Sequence, residues 1–401
     1  MSRSFKNHFV QIGVIAMFTA LSIQCTQNEI KESAAMRRYR VDHGNLQETK
    51  SEFYTKFLYS DAKGLGEEVG ISRRDPTTIL KIDDTYYIWY TRSEGDRPPV
   101  GPRGGASTEC WEKANPRIRT WCWDYASIWY ATSKDGFNWE EQGVAVTPGP
   151  PGNFDCRSVF TPDIMFVNDR YYLYYQADSN IRENPTLIGM SWADSPTGPW
   201  HRHDKPVLLP AEGTRVCHDP NLIVRDGKYW LYYKGGVASG ENLPSPAWGV
   251  AIADKPEGPF IPSEWNPVTN SGHEVFVWPY KEGVAALLCR NGYEKNSIQY
   301  AKDGVNFEVM ATVRTPPIAP GGYIPDKYTN TKNGEGLTWG LCHVRQAVHP
   351  ESYKEHLESY LIRFDCDLSR VEEKPRFKLW WVDDPGCTYK APGNRLNYPE
   401  E

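Results

Sequence analysis

The chain has 401 residues and a formal net charge of −6. It contains no block of lysine or arginine, so its charge excludes the basic footprint typical of proteins that bind nucleic acid or an anionic membrane surface. Aromatic residues make up 13% of the chain, which is typical of packed β-strands and also suits stacking against sugar rings. This length permits either two or three average domains or one large all-β unit.

The first 25 residues are typical of an export signal. Arg3 and Lys6 form a basic start, and the apolar stretch at residues 9–23 is too short to span a membrane comfortably. Cys25 follows at once. The sequence therefore predicts an exported protein, either periplasmic or anchored to the outer membrane, and leaves open simple cleavage and lipid attachment at Cys25.

Eight further cysteines bring the total to 9. Export permits disulfides, and Cys110 with Cys122 is the best candidate pair because it would close an insertion rich in proline and glycine. Cys217 and Cys289 lie within repeated strands and fit ordinary buried thiols. No His/Cys cluster has the spacing of a structural zinc site, so the sequence indicates no required cofactor.

Residues 26–60 lack the period-two pattern of the later chain. The stretches ESAAMRRYR and LQETKSEFYTKFLYS predict two helices around the turn DHGN. A helix-turn-helix can indicate DNA binding or a packing arm. The preceding export signal, and the glutamates that balance the arginines, favour a helical dimerisation arm.

One phrase, an acidic residue near a proline followed by two apolar strands, recurs along the chain from residue 61. It is clearest at residues 160–178 and 217–235, opens at 73–91, and has a divergent copy at 272–289. Each copy is followed by a hairpin whose Asp-Gly, Ser-Pro or Lys-Pro turn ends on Trp or Phe. Four strands per unit of roughly 55 residues is the pattern of a β-propeller blade.

The predicted fold is an all-β, five-bladed β-propeller over residues 61–370, with a short N-terminal helical arm and a tail at 371–401 packed on its outside. Four units are explicit. The fifth is inferred from LTWGLCHVR and SYLIRFDCDLS, with a strand within residues 51–60 to close the ring. Six blades remain an alternative, whereas a β-sandwich would not repeat its acids and turns in this way.

The repeated phrase supplies Asp75, Asp163, Asp219 and Glu274 from corresponding places in successive units. The innermost strand of each blade runs along the channel, so we expect these acids to converge at one rim. Hydrolysis of a glycosidic bond needs carboxyl groups divided between acid and base roles, and mutual repulsion can divide them. An Asp beside Pro also serves as a turn residue. Asp163, which follows its proline, fits a scaffold or binding role.

Two histidines precede acids of this set, His218 before Asp219 and His273 before Glu274. Imidazole can give or take a proton near neutral pH, although a histidine beside a strand is more often a packing residue. Neighbours on a strand point to opposite faces. The residues alone therefore leave open whether His273 or Glu274 faces the channel.

Candidate substrate contacts come from polar residues on or beside the channel strands and from the insertion after residue 95. Each can equally be a packing residue. The candidates are Thr161, Asp163, Gln176, His218 and Trp123, with Trp121 and Trp129 also bordering the insertion. A divalent cation bound in the channel is possible, but no diagnostic metal-ligand set is present.

The segments RRDP at Asp75, HDP at Asp219 and GHE at Glu274 resemble the catalytic blades of the five-bladed furanosidase-like glycosidases, which include arabinanases and β-xylosidases. Ser33, Ala35 and Arg38 also fit the SxAxxR pattern of glycoside hydrolase family 117, the α-1,3-(3,6-anhydro)-L-galactosidases or neoagarobiose hydrolases. This resemblance covers residues from about 30 to 370. It implies an exo-acting, inverting hydrolase that removes 3,6-anhydro-L-galactose from the non-reducing end of neoagaro-oligosaccharides.

The resemblance also implies roles for individual residues. Asp75 would be the general base, His273 the proton donor, and Asp219 and Glu274 would complete the acidic site. In the arabinanase pattern Asp219 is instead a modulator and Glu274 the acid. The arm would be a domain-swapped dimerisation element, which predicts a homodimer. The alternatives are an arabinofuranosidase or xylosidase of the same fold and a non-catalytic sugar-binding propeller.

Overall fold

The computed structural model describes residues 31–41, 51–94, 125–179, 186–210, 216–235, 244, 246–344 and 359–371. From Glu32 onward they belong to one compact unit. Within these ranges no helix combines the length and apolar character needed to cross a bilayer. The predicted export signal, the Cys110–Cys122 pair, Trp121, Trp123 and the tail from residue 372 lie outside the described residues.

The N-terminal arm contains one α-helix, α1 (Ala34–Val41), which begins where the Ser33 Oγ accepts the Met36 N–H at 3.3 Å. A 3-10 turn follows at Ser51–Phe53 and strand β1 at Leu58–Asp61. The predicted second helix is therefore wrong for residues 51–60. Leu58 pairs with Asp365, and this non-local pairing outweighs the local helix propensity.

The three residues of the SxAxxR pattern hold α1 against loops of the same chain. Ser33 Oγ donates to the Pro267 carbonyl at 2.5 Å, and Asn270 Nδ2 donates to the Ala35 carbonyl at 2.9 Å. The Arg38 guanidinium pairs with Glu294 in two parallel bonds of 2.7 and 3.0 Å. The pattern thus encodes a docking contact of the arm.

The first two blades are antiparallel sheets of short, alternating strands. In blade I, β2, β4, β5 and β6 pair in that order and β3 pairs with β4; in blade II the order is β7 to β10. Their bounds are β2 (Ile71–Arg74), β3 (Leu80–Ile82), β4 (Thr85–Glu94), β5 (Ser127–Ser133), β6 (Trp139–Val146), β7 (Ser158–Val167), β8 (Arg170–Asp178), β9 (Leu187–Ala193) and β10 (His201–Arg202).

The remaining blades continue the pattern. Blade III runs from β11 to β14 and blade IV from β15 to β18. In blade V the order is β1, β21, β20, and β19 also pairs with β20. Their bounds are β11 (His218–Arg225), β12 (Lys228–Lys234), β13 (Trp248–Ala253), β14 (Ile261–Pro262), β15 (Glu274–Lys281), β16 (Gly283–Cys289), β17 (Ser297–Ala301), β18 (Glu308–Thr312), β19 (Gly321–Gly322), β20 (Gly334–Val344) and β21 (Tyr360–Ser369). The strand predicted within residues 51–60 to close the ring is confirmed as β1.

Separate hydrophobic cores lie between successive blades. Ile164 of blade II packs with Trp89 of blade I, and further cores join blades II and III, III and IV, and IV and V. The last core packs Ile88 and Tyr90 of blade I against Trp339 and Leu341 of blade V. Because this contact returns to the first blade, the ring closes with five blades, as predicted.

The turn before each proline sets the start of the inner strands. Asp75, Thr161 and Asp219 have φ values of 50°, 46° and 54°, a left-handed region uncommon for residues other than glycine. The strand register shifts between Phe160 and Asp163, and again between His218 and Asn221. Such bulges re-aim a side chain. The structural equivalent of Asp75 and Asp219 in blade II is therefore Thr161, and Asp163 lies two residues further along.

Candidate active site

Asp163 connects the inner strands of the first three blades. Its side chain is buried, with Oδ1 accepting the Thr78 N–H at 3.1 Å and Oδ2 accepting the Leu222 N–H at 2.9 Å. The Lys327 ammonium lies 3.3 Å from Oδ2. These contacts occupy both carboxylate oxygens and favour the scaffold role of Asp163 over contact with a substrate.

Lys327 places a buried ammonium between the blades. Its Nζ donates to Thr78 Oγ1 at 2.6 Å and to Asn221 Oδ1 at 3.3 Å, and lies 4.8 Å from the centre of the Phe276 ring. Burial lowers the pKa of Lys327, against the opposite effect of the Asp163 carboxylate. Among the residues in the described ranges, no group of three or more His, Cys, Asp or Glu is arranged to hold a metal ion.

Asp75 lies at the end of β2 and is 7% exposed. Its backbone N–H donates to His343 Nδ1 at 3.2 Å, and His343 Nδ1 also lies 3.2 Å from Asp75 Oδ1. Arg74 Nη2 is 3.8 Å from that oxygen. Blade V thus reaches across the ring closure, through His343 on β20, to hold an acid of blade I.

Asp219 forms an ion pair with Lys234, the last residue of β12. The Lys234 Nζ also donates to the backbone carbonyl of His273 at 3.1 Å. Burial alone would lower the pKa of Lys234, but the carboxylates of Asp219, Glu274 and Asp75 outweigh it and raise that pKa. The charges of three predicted acids therefore act on one ammonium at one rim, whereas Asp163 pairs with Lys327 instead.

His273 and Glu274 both reach this rim. Glu274 opens β15 and its side chain is 8% exposed, whereas the His273 side chain is 39% exposed. His273 Nε2 lies 3.6 Å from Glu274 Oε1. His273 precedes the strand and follows Gly272, whose φ is +99°, so strand alternation does not separate the two side chains. The neighbouring carboxylate favours the protonated imidazole.

His218 lies opposite Lys234 on the neighbouring strand β11. Burial and then the charge of Lys234 lower the pKa of His218 to about 3. Its imidazole is therefore neutral near pH 7, which suits a hydrogen bond to an uncharged ligand. The two histidine-acid dipeptides of the repeat thus differ in their charged neighbours, because His273 lies beside a carboxylate whereas His218 lies beside an ammonium.

The other predicted substrate contacts are spread along the same strand ends. The Thr161 N–H donates to Thr91 Oγ1 at 2.7 Å. Gln176 is 5% exposed and pairs with Phe160 across β7 and β8. Trp129 carries the Arg92 guanidinium 3.8 Å from its ring centre.

Lys234 and His343 are functional candidates that the sequence prediction missed. The sequence did contain a signal for Lys234. It lies on the aromatic strand of its repeat, at the position that Thr91 and Gln176 occupy in blades I and II. His343 had none, since it is 268 residues from Asp75 in the chain.

Comparisons with known proteins point to one enzyme class. The model of glycosyl hydrolases family 43 matches residues 118–239. Zg3597, a family 117 glycoside hydrolase produced by the marine bacterium Zobellia galactanivorans, is 40% identical, with 82% of this chain and 96% of that chain covered and a TM-score of 0.71.

More distant structures share the fold alone. The GH43_1 enzyme from Xanthomonas citri in complex with xylose is 14% identical over 76% of this chain and 89% of that protein, with a TM-score of 0.50. The β-xylosidase RS223 is likewise 14% identical, over 76% of this chain and 94% of that protein, with a TM-score of 0.50.

Proposed function

This chain belongs to glycoside hydrolase family 117, and on that premise we propose that it is an exo-acting, inverting enzyme that removes 3,6-anhydro-L-galactose from the non-reducing end of neoagaro-oligosaccharides. The observation that carries the proposal is the rim where Lys234 pairs with Asp219 and feels the charges of Glu274 and Asp75, with His273 Nε2 3.6 Å from Glu274 Oε1. A rim of this kind offers both a proton acceptor and a proton donor.

In the proposed reaction Asp75 is the general base. It takes a proton from a water molecule as the water oxygen bonds to the anomeric carbon. Arg74, 3.8 Å from Oδ1, orients the carboxylate, and His343 fixes the Asp75 backbone by accepting its N–H at 3.2 Å. Asp75 has a left-handed backbone, an uncommon conformation that the surrounding structure must hold in place.

His273 is the proposed proton donor. As the glycosidic C–O bond breaks, the leaving oxygen takes the proton from the imidazolium, which the Glu274 carboxylate favours in the ground state. Asp219 is already paired with Lys234, so it is suited to orientation of the sugar more than to proton transfer. The general base and proton donor stand on different blades, I and IV, as attack on one face and departure from the other require.

A product assay tests this function. Wild-type protein is incubated with neoagarobiose, and the released 3,6-anhydro-L-galactose and D-galactose are followed by NMR, where the first anomer formed reports inversion. Asp75→Asn and His273→Gln should each lower kcat/KM by about 100-fold or more. Asp84→Asn, in the exposed turn between β3 and β4, is the matched control. Wild-type protein that releases no anhydro-sugar would count against this substrate, and a fully active Asp75→Asn against the base.

A second candidate is an arabinofuranosidase or xylosidase. It is supported by the match of the family 43 model to residues 118–239, which cover β5 and β6 of blade I, all of blade II, and β11 and β12 of blade III. Hydrolysis of aryl arabinofuranosides or xylosides, without any release from agar sugars, would favour it. Oligosaccharide binding by calorimetry without turnover on either set would instead favour a sugar-binding propeller.

We also propose that α1 is a dimerisation element that docks on a second copy through the contacts seen within this chain. Its support is the burial of Ser33, Ala34, Ala35 and Met36, at 0 to 3% exposure, together with the paired hydrogen bonds of Arg38 to Glu294. Because these residues are almost fully buried, the arm docks in a defined geometry.

A further inference from the structure

Lys234 connects two blades at the rim. It is the last residue of β12 in blade III, and its ammonium pairs with Asp219 of the same blade. The same ammonium donates to the His273 carbonyl of blade IV at 3.1 Å. The side chains of Lys234 and Asp219 are only 14% and 12% exposed, so solvent screens the pair weakly.

The charges that face Lys234 come from three strands or strand ends. They are Asp219 and His218 on β11, Glu274 at the start of β15 with His273 just before it, and Asp75 at the end of β2. Of these, His218 is neutral near pH 7. One ammonium therefore offsets several carboxylates that would otherwise repel one another and take up protons.

We propose that Lys234 is a positioning residue of this reaction: it holds Asp219 against the His273 backbone, keeps the rim carboxylates ionised and eases release of the proton from His273. This inference rests on the proposed function. Lys234 itself touches neither the water nor the leaving oxygen in this scheme. Lys234 acts through Asp219 and His273, which it holds in place, and its removal changes both the distance between them and their proton affinity.

The test compares pH profiles of kcat/KM for Lys234→Met, Lys234→Gln and Lys234→Arg. The control is Lys228→Met on the same strand, whose exposed ion pair with Asp254 spans 2.6 Å. Lys234→Met and Lys234→Gln should lower kcat/KM about 100-fold and move both limbs of the profile up by about one pH unit, since loss of a cation raises the pKa of every nearby group. Lys234→Arg should keep the limbs in place, and Lys228→Met should match wild type.

Limbs that stay in place in both neutral variants would overturn the proposal, even if activity fell, because a purely structural role would lower activity without moving them. Lys234→Gln keeps an N–H donor for the His273 carbonyl, so it supplies the answer if Lys234→Met does not fold in a thermal unfolding control. Lys234→Arg limbs that shift like those of the neutral variants would also overturn it.

An NMR titration separates this inference from the proposed function. The imidazole signal of His273, assigned through its loss in His273→Gln, should titrate about one pH unit higher in Lys234→Gln than in wild type. This readout needs no substrate. Wild-type protein without turnover would defeat the proposed function alone, whereas an unchanged His273 midpoint would defeat the role of Lys234 alone.

Discussion

Replacing Lys327 by methionine tests whether the ring of blades depends on its buried ammonium. Lys327 is 0% exposed and bridges Thr78, Asp163 and Asn221, which belong to three different blades. Methionine fills a similar volume, so the packing cost is small. The variant leaves the Asp163 carboxylate, 1% exposed, with two backbone N–H partners and without the Lys327 cation. Removing one partner of a buried pair costs about 3–5 kcal/mol, and we expect a loss in that range.

The assay is urea unfolding followed by tryptophan fluorescence, with Lys228→Met as the control. Lys228 is 52% exposed in its ion pair, so that variant should lose at most about 1 kcal/mol. In Lys327→Met/Asp163→Asn the buried charge is absent from both partners, and we expect part of the loss to be recovered. A loss below about 1 kcal/mol in Lys327→Met would refute the argument, as would a double variant less stable than the two single losses combined.

Two further predictions concern pH and the arm. The pKa of His218 is about 3 in the folded protein and 6.5 without its surroundings. Between these pH values the unfolded chain therefore binds a proton at His218 that the native protein does not bind. Its contribution to stability is complete above pH 6.5 and falls as the pH drops towards 3. His218→Gln should therefore reduce the slope of the free energy of unfolding against pH in that window, measured by urea unfolding, and an unchanged slope would contradict the assignment to His218. Arg38→Met removes the ion pairs to Glu294 and Glu308 of 2.7 and 2.9 Å and should reduce the dimer fraction in sedimentation velocity; an unchanged fraction would contradict the proposed arm.

The number of blades could be predicted because the signals that define a blade are local. Each Asp-Gly or Pro-containing turn and each alternating strand is readable within about ten residues. The predicted second helix failed for the opposite reason, since β1 exists only because the edge of β21 is available to pair with it. Asp163 does not occupy the place of Asp75, because the left-handed residue before proline, not the acid, defines that place, and in blade II this residue is Thr161.

The convergence of Asp75, Asp219 and Glu274 followed from the repeat, because equivalent places in successive blades face one channel. Their partners did not follow. Lys234 and His343 act on acids of other blades or other strands, and the sequence carries no record of which residues of different units meet. The repeat thus predicts which acidic side chain each blade places at the rim, whereas contacts between blades and strands determine the protonation state of those side chains.

The divergent copy in blade IV shows how this division operates. In blade III, Asp219 has a left-handed backbone and the strand register shifts between His218 and Asn221. His218 begins the strand, where burial and Lys234 lower its pKa. Blade IV has Val275 in place of that proline, so Glu274 begins a regular strand and pairs with Cys289. The left-handed residue is then Gly272, one position before His273, and His273 stays outside the strand beside Glu274. The two copies therefore place their histidines differently: His218 lies in the strand opposite Lys234, whereas His273 lies outside the strand beside the Glu274 carboxylate, which favours a protonated imidazole.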